Sequence, residues 1–81
     1  MTYKPSIRQL AFVLPLGFSK AEIIFTRHRQ NYENRSFKVI PGQNPRHAVS
    51  TEALEKGTWL AQLIWSVGRA QYCQEKLIEI G

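Results

Sequence analysis

The residues best suited to chemistry crowd into one short stretch: Arg27, His28, Arg29, Asn31, Tyr32, Asn34, Arg35 and Lys38. If that stretch folds as a hairpin, Arg27, Arg29 and Arg35 share strand parity and project to one side. Crowded guanidiniums repel one another, and each can grip two phosphate oxygens at once. Gln30, Asn31 and Asn34 offer donors and acceptors of the kind that read base edges, and Tyr32 offers a ring on which a base can stack. Arg46 and His47 lie close enough in sequence to extend the patch. These features predict a nucleic-acid interface at Arg27, His28, Arg29, Asn31, Tyr32, Arg35, Lys38 and Arg46. The competing explanation is structural, since charge at a hairpin tip keeps a strand edge from aggregating.

The charge of the whole chain agrees with an anionic partner. Its 81 residues carry a formal charge of +5, unevenly spread. Met1–Arg46 holds eight lysines and arginines against two glutamates, a balance of +6, and His47–Gly81 comes to −1. Asymmetry of this kind points to a surface for nucleic acid or another acidic partner.

Catalytic chemistry finds little support. There is no aspartate anywhere, so a Ser-His-Asp set cannot form. The two histidines, His28 and His47, and the lone Cys73 have no zinc spacing, and the five glycines form no phosphate loop. The expectation is a non-enzymatic protein with no catalytic residue, no cofactor and no metal. A small basic ribonuclease using His28 is a third reading. Cys73 is expected to be a small buried hydrophobe.

No apolar run reaches the roughly 20 residues of a membrane-spanning helix, so no membrane partner is expected. Lys4 and Arg8 before the apolar stretch Leu10–Phe18 outline a secretory signal. Pro15 and Gly17 interrupt that stretch and Lys20 follows it, so a cytoplasmic chain is expected instead.

One domain of α+β class would position these groups. Three antiparallel strands are predicted at about 7–14, 20–29 and 35–40. The first is rich in Ile, Leu, Phe and Val, and the other two alternate around the polar loop Gln30–Asn34. Their pairing puts Ile23, Phe25, Phe37 and Val39 on one face. Pro41–Ser50 is expected to be a linker, because Pro41, Gly42, Asn44 and Pro45 are turn formers.

Ser50, Thr51 and Glu52 suit a helix start, and a long helix is predicted over about 51–80, possible breaks falling at Gly57 or Gly68. Turned at 100° per residue, Trp59, Leu60, Leu63, Ile64, Val67, Ala70, Leu77 and Ile78 fall in an arc of about 140°. That stripe would cover the sheet. A second stripe, Leu54, Ala61, Trp65, Gly68 and Tyr72, would then need a partner of its own. Large aromatics beside small residues are typical of interface cores. It predicts a homodimer or docking on a larger protein.

The sequence as a whole therefore reads as a small basic accessory protein that binds nucleic acid, DNA included, through a basic hairpin. The alternative is a protein-interaction or inhibitory module working through the aromatic face.

Overall fold

The computed structural model describes residues 1–27, 34–40, 42 and 44–81. Among them there is no helix. The chain forms strands β1 (Thr2–Lys4), β2 (Gln9–Val13), β3 (Lys20–Arg27), β4 (Asn34–Val39), β5 (Arg46–Ser50), β6 (Gly57–Val67) and β7 (Ala70–Ile80). They make two antiparallel sheets, one in the order β1-β2-β5 and one in the order β4-β3-β6-β7. The expected α+β class is thereby overturned, and so is the single three-stranded sheet. The strand near residues 7–14 does form, but it pairs with β1 and β5 rather than with β3.

The long helix over 51–80 is replaced by the β6–β7 hairpin. The helical stripe was an artefact of a strand that is apolar on both faces. In β6, Trp59, Ala61 and Leu63 are buried on one face, and Leu60 and Ile64 are half-buried on the other. Such a strand meets a period of 3.6 as readily as a period of two, and β-branched and aromatic residues then favour the strand. Gly68 ends the ambiguity. Val67 pairs with Ala70, so Gly68 and Arg69 form a two-residue loop, and Gly68 takes a φ of 58°. A glycine with positive φ at the first loop position matches a type II′ hairpin turn.

The helix-start residues have a different task. The Glu52 backbone N–H donates to Ser50 Oγ at 3.2 Å, and the Leu54 N–H donates to the Thr51 carbonyl at 3.0 Å. The chemistry that caps a helix also closes a turn. Part of the expected linker is likewise a strand, since residues 46–50 form β5 against β2.

The two sheets pack face to face over one core. Leu10, Phe12, Leu14 and Phe18 come from the three-stranded side; Ile23, Phe25, Trp59, Leu63, Ile78 and Ile80 come from the four-stranded side. The β3–β4 hairpin forms as expected. Ile23 sits opposite Phe37, and Phe25 meets the Phe37 ring edge-on at 5.9 Å. The expected face of Ile23, Phe25, Phe37 and Val39 is the one turned to the core. It is covered by a second sheet and not by a helix.

Candidate interaction surface

The basic hairpin divides once its contacts are followed. Arg27 stands opposite Trp59 on β6. Its Nη1 donates to Glu55 Oε2 at 2.9 Å, its Nη2 donates to the Lys56 carbonyl at 2.8 Å, and its Cζ lies 5.6 Å from the Trp59 ring centre. The Trp59 indole N–H donates to the Glu55 carbonyl at 2.9 Å. Arg27 thus clamps the loop between β5 and β6 to the sheet. A fork of donors over an indole face suits arginine and would not suit lysine.

The clamp dictates Gly57. That residue has a φ of 138°, and a Cβ built there would lie 3.4 Å from Arg27 Nη2. Gly57→Ala is therefore expected to cost about 1–3 kcal/mol through backbone strain. Urea denaturation would read it, and a loss below about 0.5 kcal/mol would show that the loop can relax.

The other described residues of the predicted patch are spread out. Arg35 shares the face of Arg27, as its parity requires, and stands opposite Phe25. Among the described residues its Nη1 donates to the neighbouring Asn34 carbonyl alone, at 3.4 Å. Lys38 lies on the outer face opposite Glu22. Arg46 begins β5 opposite Val13 on the other sheet. His28, Arg29, Asn31 and Tyr32 lie outside the described residues.

His47, adjacent to Arg46, was not expected in a strand. Its ring stacks on Phe12 with centres 5.7 Å apart, and the Phe18 edge meets it at the same distance. Its Nε2 is buried with no hydrogen-bond partner among the described residues.

The second predicted stripe comes apart as a helix face, yet part of it reassembles. Leu54 is buried in the turn after β5, Ala61 is buried in β6, and Gly68 is the hairpin turn. Trp65 and Tyr72, seven residues apart, still meet. They are a cross-strand pair of the hairpin, with ring centres 5.5 Å apart and planes 22° from parallel. Trp65 packs on the rim of the core, and Tyr72 is 47% exposed.

Along β7, Tyr72, Gln74, Lys76, Ile78 and Ile80 share the face turned to the other sheet. Ile78 and Ile80 are buried, but Tyr72, Gln74 and Lys76 are exposed. Only the second half of this row is buried in the core. In the exposed half, Gln74 borders an open cleft whose other wall is Lys4, Phe12, Arg46 and His47 of the three-stranded sheet.

The outer face of the four-stranded sheet carries a row of cross-strand pairs. Leu60 faces Leu77, Ile64 faces Cys73, and Gln62 donates to Glu75 at 2.6 Å. Thr58 donates to Glu79 beside them. Cys73 is free and exposed rather than buried. The sequence signal for this surface was the apolarity of both faces of residues 59–65.

Among the described residues, no group of three His, Cys, Asp or Glu side chains is placed to hold a metal ion. No helix there is long and apolar enough to cross a membrane. No family model matches the chain, and no curated protein or solved structure matches it either.

Proposed function

We propose that this chain is a small protein-binding module whose working surface is the Trp65–Tyr72 end of the β6–β7 hairpin. One observation carries the reading: Tyr72 is stacked on a core-anchored tryptophan yet stays 47% exposed. An aromatic held in one orientation loses little conformational entropy on binding, and exposed Tyr and Trp anchors dominate protein interfaces. The exposed Gln74 and Lys76 beside it supply a polar rim. The free, exposed Cys73 suits a reducing compartment, which keeps the cytoplasm as the proposed location.

The test is selection of peptide ligands from an unbiased display library, followed by NMR mapping on isotope-labelled protein. The expected result is a cluster of shifts at the Trp65 indole and Tyr72. Tyr72→Ala should weaken binding about tenfold or more while lowering stability by no more than about 1 kcal/mol, the contribution of its pairing with Trp65. Ligands that shift only β4 and β5, or that bind Tyr72→Ala as well as the parent chain, would overturn the reading.

A second reading, nucleic-acid binding along the β3–β4 hairpin, is favoured by the +6 balance of residues 1–46. Arg35, Lys38 and Arg46 are exposed. Replacing those three with alanine should flatten the salt dependence of duplex binding, since each neutralised phosphate releases counterions. Binding with an unaltered salt slope in the triple variant would remove this reading.

A further inference from the structure

Four strands lie at sheet edges, and three of them are protected. β1 has three residues and β5 has five. β4 has six and carries Arg35 and Lys38. Short length and basic side chains are the usual ways to blunt an edge. β7 carries Glu75, Lys76 and Glu79 but differs from all three in length and regularity. It runs for 11 residues, pairs with β6 without a bulge from Ala70 to Ile80, and contains no proline. Among the described residues, no strand and no backbone hydrogen bond lies on its other side. A long, regular, open edge is a template for another strand.

We propose that β7 pairs antiparallel with β7 of a second copy, joining two four-stranded sheets into one of eight strands. The occupant follows from the charges of the strand itself. A closed two-fold pair of antiparallel strands must place some residue opposite its own copy. Centring on Glu75 or Lys76 opposes like charges, and centring on Leu77 sets Glu75 against Glu79. Like charges directly opposite destabilise a ladder. Of the registers that avoid these clashes, centring on Gln74 gives the longest ladder, residues 70–78 of each copy. Lys76 then meets the ring of Tyr72 from the second copy, a cation–π contact. Beyond the ladder, Glu79 comes level with Arg69 of that copy. Met1 borders Gln74, Glu75 and Lys76 and would rim the contact.

The ladder itself uses the backbone edge of β7; it shares Tyr72 with the ligand face proposed above, so the variants that test it leave Tyr72 unchanged. The experiment combines sedimentation across protein concentration with site-directed crosslinking in a Cys73→Ser background. Gln74→Cys places two thiols at the central pair, where Cα atoms are about 4.5–5.5 Å apart and a disulfide fits. Lys76→Cys places them four residues apart along the strand, about 13 Å, beyond disulfide reach.

The expected result is a concentration-dependent dimer that crosslinks rapidly through Gln74→Cys and hardly at all through Lys76→Cys. Gln74→Lys, at an exposed position, should raise the dimer dissociation constant about tenfold or more while the melting of the dilute monomer is unchanged. A monomer at every concentration, equal crosslinking from both positions, or a dimer indifferent to Gln74→Lys would each overturn the pairing. A monomer that still bound selected peptides through Tyr72 would overturn the pairing alone and leave the ligand face standing.

Discussion

Phe25→Ala is expected to lower the unfolding free energy by about 3–5 kcal/mol. The side chain is 0% exposed and lies in β3, flanked in register by Arg35 on β4 and Ala61 on β6. Ala61 is itself buried and too small to move into the space. The Phe37 ring, edge-on at 5.9 Å, would lose its partner as well. A domain of 81 residues has a total stability of roughly 4–12 kcal/mol, so the variant is expected to be partly unfolded at room temperature or close to it. Urea denaturation followed by far-ultraviolet circular dichroism would show it, with a fall in Tm of roughly 15–30 °C. Phe25→Leu keeps most of the volume and should cost about 1.5 kcal/mol or less. A loss below about 1 kcal/mol in the alanine variant would mean that Phe25 does not sit at the junction of the two sheets.

Arg27→Ala is expected to cost about 2–3 kcal/mol, while Arg35→Ala should stay within about 0.5 kcal/mol. The two arginines share a face, and only their partners differ. The Arg27 side chain is 21% exposed, donates to Glu55 and Lys56, and covers Trp59. The Glu55 carboxylate is 75% exposed, so the ion pair contributes little by itself. The larger share comes from the Lys56 carbonyl losing its donor and from the uncovered indole. Arg27→Lys should recover less than half of the loss, because a single ammonium cannot serve both oxygens and the ring. Trp59 fluorescence during denaturation reads the same loop. Equal losses at Arg27 and Arg35 would argue against the clamp. Any test of nucleic-acid binding should accordingly spare Arg27, since a binding defect there would report a damaged loop.

The sheet carrying the hairpin was legible at the level of neighbours. Alternation in residues 20–29 and 35–40, either side of a polar loop, led directly to the observed pairing of β3 and β4. The Trp65–Tyr72 pair was legible for the wrong reason. Seven residues is two turns of a helix, but it is also the separation of a cross-strand pair whose two-residue turn is Gly68–Arg69. Arg27 stood out for its chemistry, and parity put it on the face it shares with Arg35. Its partners, Glu55 and Lys56, lie 28 and 29 residues along the chain, and no local pattern announces a contact at that separation.

The charge of the front half, the turn residues and the period-two alternation of β3 and β4 are properties of the sequence alone. Each is settled by composition or by neighbours within a few residues, where backbone geometry leaves few choices. The state of residues 51–80 was decided only by tertiary structure. An apolar segment with two hydrophobic faces is compatible with helix or strand. Pairing with β3 satisfies the backbone of β6 and buries Trp59, Ala61 and Leu63 against the other sheet. Long-range pairing also determined that Arg27 became a loop clamp and that β7 was left as an open edge. Both follow from which strand lies beside which, and that order exists only once the whole chain has folded.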